Sequence, residues 1–210
     1  MNFKNEVVVI TGAGSGMGRA YALEFAKRGT KLALNDFNKT SLLETLSLIR
    51  ELSDGQTLGE AFDVSDLDAM RGFAAQVKAT LGNASIVINN AGVSDARAAT
   101  VWEAHDDDIA RTLNINLNGV INGTRAFLPQ LLELNRGSII NVSSVFGLVG
   151  VPLSAFYCAS KFAVRGFSEA LMAELYDSPI EVLIVHPGGI ATNISQGVEG
   201  GGEFADTFLT

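Results

Sequence analysis

The sequence predicts a doubly wound α/β fold, a parallel sheet with helices on both faces. Three observations predict it. Short apolar stretches alternate with helical stretches from Val7 to Val185, the pattern of repeated βαβ units. Several of the strand stretches are apolar throughout instead of alternating, as expected for strands covered on both faces. The chemically suggestive residues fall just after strands, at the edge where ligands bind in such sheets.

The elements follow in order. Residues 7–10, Val-Val-Val-Ile, read as the first strand. Thr11-Gly12-Ala13-Gly14-Ser15-Gly16-Met17-Gly18 then forms a glycine turn, and a helix over residues 19–28 ends at Gly29. A glycine turn between a buried strand and a helix lets backbone N–H groups approach a pyrophosphate. Residues 31–35 are a second strand with Asp36 at its end, twenty residues beyond Gly16. A carboxylate there can accept hydrogen bonds from an adenosine ribose and repels a 2′-phosphate. It can also serve only to cap the next helix, Lys39–Leu52. A strand over 59–62 carries Asp63 and Val64 at its tip, and a helix over 66–81 follows. Residues 86–88 are a fourth strand, followed by Asn89-Asn90-Ala91-Gly92.

A long helix over 106–134 opens on three aspartates, which complement its dipole, and Pro129 is expected to kink or weaken it. Residues 138–142 form a fifth strand ending in Ser143-Ser144. A helix over 154–176 holds Tyr157-Cys158-Ala159-Ser160-Lys161, and a sixth strand over 180–185 leads to His186-Pro187-Gly188-Gly189. The Gly-rich stretch beyond Gly197 is expected to be mobile.

The Tyr157–Lys161 spacing stacks phenol and ammonium on one helix face. A free phenol, with a pKa of about 10, is a poor base at neutral pH. A cation beside it favours the phenolate, giving a group that exchanges a proton near physiological pH.

In combination these motifs resemble the short-chain dehydrogenase/reductase family over residues 7–192. The resemblance implies a single Rossmann domain spanning 1–210. It implies a tetrad of Asn116, Ser144, Tyr157 and Lys161, with Tyr157 as general acid/base on the substrate oxygen. Ser144 would steady that oxygen, Lys161 would hold the nicotinamide ribose, and Asn116 would help hold a water reaching Lys161. The implied cofactor residues are Gly12, Ser15, Gly16, Met17 and Gly18 in the loop, then Asp36 and Phe37. Asp63 and Val64 would line the adenine, with Asn90, Ala91 and Gly92 at the central strand end. Tyr157 and Lys161 also meet the cofactor, and Pro187, Gly188, Ile190 and Thr192 flank the nicotinamide. Family members continue through lid helices to a further edge strand, which would lie beyond Thr210.

Ser15 and Phe37 occupy positions where NADP-preferring relatives often carry a cation, so NAD is expected over NADP. The expected reaction is hydride transfer between NAD and a neutral, largely apolar secondary alcohol or ketone. The wall between Ser144 and Tyr157 contains no charged residue, although Asp95 and Arg97 stand near another wall. A cofactor-binding protein without turnover is the reading from a different class; an intact tetrad argues against it.

A net charge of -8 without a basic cluster excludes a nucleic-acid partner. One cysteine, Cys158, and no signal-peptide layout point to a cytoplasmic protein, and no stretch suits a bilayer span. No metal site is expected. Cys158 reads as a small buried hydrophobe, His105 as a helix start, His186 as a strand end and Trp102 as a packing residue. The apolar circumference of helix 154–176, with Lys161, Arg165 and Glu169 as a charged stripe, predicts a buried oligomer face in a homodimer or homotetramer.

Overall fold

A computed structural model describes residues 3–188. Ile190, Thr192 and the Gly-rich stretch after Gly197 lie outside them.

Six strands form one sheet: β1 (Val7–Thr11), β2 (Lys31–Asp36), β3 (Thr57–Ala61), β4 (Ile86–Asn89), β5 (Gly137–Val142) and β6 (Ile180–Val185). Their order is β3-β2-β1-β4-β5-β6, and every neighbouring pair is parallel. The chain winds outward from β1 to β3, then returns to place β4 on the other side of β1. This reversal opens a crevice beyond the carboxyl ends of β1 and β4.

The helices are α1 (Gly16–Lys27), α2 (Lys39–Leu52), α3 (Leu67–Thr80), α4 (Asp106–Leu113), α5 (Gly119–Leu134) and α6 (Ala155–Glu174). They cover both faces because successive strand residues point to opposite sides. Val8 and Ile10 join a core with Ala22, Ala26, Leu42 and Ile49 from α1 and α2. Val7 and Val9 join the other, with Phe73, Phe127, Leu131 and Leu171 from α3, α5 and α6. The doubly wound class read from the alternation is the fold observed.

Three details differ from the sequence reading. The strand expected over 59–62 begins two residues earlier, ends one residue earlier, and is only partly covered, as an edge strand is. The helix expected over 106–134 is interrupted, but not at Pro129, which lies within α5. The interruption is a π-helical turn, Asn114–Asn118, between α4 and α5. Trp102 is 83% exposed and packs in no core.

A chain of buried polar side chains crosses the second half of the sheet. Asn89 and Asn141, directly paired in register, are joined by an amide hydrogen bond of 2.8 Å. Asn89 also donates to Thr124 Oγ1 on α5, and Asn141 to Ser168 Oγ on α6.

Candidate active site

The loop after β1 is shaped by glycine. Gly12 has φ +66, and a Cβ there would lie 2.8 Å from Ala91 Cα. A Cβ on Gly18 would stand 2.0 Å from the Gly12 carbonyl oxygen, so α1 can approach the loop this closely only without a side chain. Across the crevice Asn90 Nδ2 donates to Thr11 O at 2.9 Å, and Thr11 Oγ1 accepts from the N–H groups of Asn90 and Ala91. The tips of β1 and β4 are therefore locked together. Ser15 sits at the α1 N-cap without a side-chain capping bond, and the first turn carries no acid. Gly16 and Met17 open the helix there. Uncapped N–H groups at a glycine turn form a cradle of the kind that fits a pyrophosphate.

Asp36 closes one side of this cradle. Its carboxylate accepts from Gly14 N and from Asn38 N, both at 2.8 Å. Each oxygen so engaged retains acceptor capacity for a ribose hydroxyl. A cation unremarked in the sequence lies close by. Arg19 donates to the carbonyls of Gly14 and Ser41, and is paired with Glu44 at 2.9 Å and Thr45 at 2.9 Å. Phe37 is largely exposed beside this rim. Asp63 Oδ1 accepts from Ser65 N and Oγ, while Val64 is buried with its side chain against Gly119. The Val64 carbonyl accepts from Asn122 Nδ2 at 3.0 Å.

At the ends of β4 and β5 the remaining residues converge. Lys161 is buried, donates to Val142 O at 3.0 Å, and lies 5.7 Å from the Tyr157 ring centre. A Cβ on Gly92 would stand 3.2 Å from Asn116 Oδ1 and 3.3 Å from Lys161 Nζ, which fixes how tightly these residues gather. Ser144 Oγ accepts from Phe146 N at 3.1 Å, and the Phe146 ring meets that of Tyr157 edge-on. Pro187 and Gly188 reach the same place: Val145 N donates to Pro187 O, and His186 Nδ1 lies 3.0 Å from Ser144 O. Ile190 and Thr192 fall outside the described residues.

Asn116 lies in the π-helical turn and is fully buried. Its Oδ1 accepts from Val93 N, and its Nδ2 donates to Val93 O and to Ser160 Oγ. Ser160 Oγ in turn donates to Tyr157 O at 2.7 Å. Both amide donors are thus committed to holding the strand-end loop against α6. π-helical turns recur at functional sites, and this one was invisible in the apolar spacing because it adds no distinctive residue type.

The electrostatics depart from the sequence reading. Burial lowers Lys161 to about 8. Burial also raises Tyr157 above the usual tyrosine value; the Ser144 hydroxyl lowers it, and Cys158 and Asp95 raise it further. The expected net lowering of the phenol by a neighbouring ammonium is therefore not observed. A dry site disfavours both charges, and the lysine's bond is to a carbonyl, not to the phenol. Nor does Lys161 belong to an exposed charged stripe on α6; that stripe holds only Arg165 and Glu169, paired at 2.6 Å.

Among the described residues no group of three or more His, Cys, Asp or Glu could hold a metal ion, and no helix is long and apolar enough to cross a membrane. Cys158 is buried.

The short chain dehydrogenase family profile matches residues 6–201. SadH of Mycobacterium tuberculosis, named as an oxidoreductase, is 42% identical over 197 residues, covering 93% of this chain and 70% of its own. A short chain dehydrogenase/reductase from Burkholderia phymatum, solved in complex with NAD, superposes with a TM-score of 0.89 at 33% identity, over 94% of this chain and 70% of that one. Carveol dehydrogenase from Mycobacterium avium, also solved with NAD, superposes with a TM-score of 0.84 at 29% identity, over 89% and 71%. With a glycine cradle at the sheet reversal and a Tyr-x-x-x-Lys pair packed beside it, this chain belongs to the short-chain dehydrogenase/reductase family.

Proposed function

We propose that the protein interconverts a neutral, largely apolar secondary alcohol and its ketone with NAD as hydride carrier. The observation that carries this reading is the gathering of Ser144, Tyr157 and Lys161 at the end of β5, next to the crevice that the glycine loop and Asp36 enclose. The loop residues Gly12 to Gly18 would hold the pyrophosphate and Asp36 the adenosine ribose. A bound nicotinamide supplies the hydride acceptor. In the oxidising direction the Tyr157 phenolate takes the hydroxyl proton as the carbinol hydrogen leaves with its electron pair. The Ser144 hydroxyl bonds the same oxygen and fixes its direction. Lys161, close to the phenol ring, would meet the nicotinamide ribose and bias the proton.

NAD is favoured over NADP by two features. Asp36 repels a 2′-phosphate, and Arg19, whose guanidinium lies against the Gly14 carbonyl, is already held by Glu44. The apolar substrate class is supported by Val145, Phe146, Leu148 and Val149, which line the segment after β5 without a charge. Such a wall offers no bidentate partner for a carboxylate. Carveol, the substrate named for one of the similar structures, is itself a neutral alcohol.

The test is kcat/KM for a panel of secondary alcohols with NAD and NADP, and for a neutral ketone against a keto acid of equal size. The expected outcome is preference for NAD and for the neutral ketone, with Asp36→Ala relaxing the exclusion of NADP. Preference for NADP, or for the keto acid, would overturn the respective half.

Assembly into a homodimer or homotetramer belongs to the same reading. α6 buries one face, with Val164, Ser168 and Leu171, and leaves Phe162 and Met172 exposed beside the small residues Ala159, Gly166, Ala170 and Ala173. Light scattering at micromolar concentration is expected to give a mass at least twice that of the chain. A monomer would refute it.

A further inference from the structure

Tyr157 depends on the placement of the first turn of α6, and that turn lacks the usual support. Ser154 occupies the N-cap but makes no side-chain capping bond, and no acid lies in the first turn of the helix itself. Uncapped first-turn N–H groups need a partner from elsewhere. One arrives from a loop 62 residues away: Asp95 Oδ2 accepts from Tyr157 N at 3.3 Å.

We propose that Asp95 is a positioning residue for the reaction, a carboxylate from the loop after β4 that holds the Tyr157 backbone. The proposal rests on Tyr157 being the acid/base, as argued above. Two further observations support it. Thr112 of α4 is fully buried, and its hydroxyl has no hydrogen-bond partner of good geometry. That hydroxyl nonetheless lies close enough to Asp95 to favour its charged form. Asp95 is thus set between α4 and α6, within reach of a buried donor on one and an open backbone donor on the other. The Asp95 charge, held at the Tyr157 backbone, also disfavours phenolate.

The surroundings of Asp95 are few. Asp108, from the start of α4, opposes its charge, and burial raises its pKa more than any other cause. Arg97 and His105 line the same small cavity of about 20 Å³, together with Phe156 and Leu153. Cys158 follows Tyr157 on α6. Being only half-buried, Asp95 remains ionised in the alkaline range where alcohol oxidation is followed.

The experiment compares Asp95→Asn and Asp95→Ala in the full-length protein, by the pH profile of kcat for alcohol oxidation and by NAD affinity. Asn keeps an acceptor for Tyr157 N and removes the charge. Its rising limb is expected at lower pH than the wild type, with a plateau within about threefold, since one neutral hydrogen bond replaces a charged one. Ala removes both, so its plateau is expected to fall about tenfold, the equivalent of one hydrogen bond, with NAD affinity unchanged. A limb unmoved in Asp95→Asn overturns the electrostatic role; should the alanine variant fail to fold, Asp95→Ser, whose hydroxyl is too short to reach Tyr157 N, takes its place in the plateau comparison. An undiminished plateau in Asp95→Ala overturns the positioning role. Near wild-type turnover in Tyr157→Phe would instead sink the reading on which both rest.

Discussion

Replacing Tyr157 by Phe is expected to lower kcat for alcohol oxidation by about 10²–10⁴, with NAD still bound. The change deletes one oxygen and little volume. The ring keeps its edge-on contact with Phe146 and its place over Lys161. What goes is the proton acceptor and the oxygen that Ser144 bonds. The pH profile sharpens the expectation. Burial raises the phenol's pKa, and oxidation needs phenolate, so the wild-type rate should climb with pH on the alkaline side. That limb should vanish in the variant while NAD titration stays unchanged. Turnover close to wild type would show that another group carries the proton.

The second large effect concerns stability. Lys161 falls from the ordinary 10.5 to about 8 on burial. The folded state therefore resists protonating it, and the unfolded chain holds more protons between those values. Stability consequently rises with pH across that window, and the penalty is fully present below pH 8. It amounts to about 3 kcal/mol. Lys161→Met abolishes the penalty but strands the buried Val142 carbonyl, at a cost of about 1–3 kcal/mol. The two variants should be of similar stability at pH 7. The wild type should then gain about 2 kcal/mol on Met by pH 9.5, read from urea unfolding of the full-length protein. Tyr157 limits the window above: its raised pKa means that stability falls again once unfolded tyrosine ionises. A gap between the variants that ignores pH would show that Lys161 carries no buried charge.

Much of this was legible from residue types. Strand runs such as Val7 to Ile10 and turn glycines such as Gly12 and Gly18 carry their own signatures, because burial on two faces and close backbone approach each exclude most side chains. The doubly wound class and the expectation that Ser144, Tyr157 and Lys161 meet at the carboxyl edge follow from them, whereas the order of the strands comes from the structure. Three features were not legible. The π-helical turn at Asn116 changes a hydrogen-bond register without changing the apolar spacing. The direction of the Tyr157 shift depends on how dry the site is, and spacing along a helix says nothing of that. Asp95 and Arg19 reach their partners through folding, from 62 positions away in the first case and across to α2 in the second.

The paired amides of Asn89 and Asn141 bear on how the sheet finds its alignment. Ile86, Val87 and Ile88 are apolar on both sides, and so are Ile139 and Ile140. Sliding β5 along β4 would exchange one aliphatic contact for another at little cost, so hydrophobicity selects the register weakly. Polar groups read it without ambiguity. Only one alignment sets the two amides opposite each other at 2.8 Å and brings Thr124 and Ser168 within reach. Any slip strands buried amides at a cost of about 1–3 kcal/mol each. The pair thus discriminates between alignments of the finished sheet: once α5 and α6 cover it, a misaligned arrangement leaves these amides without the partners that the native one supplies.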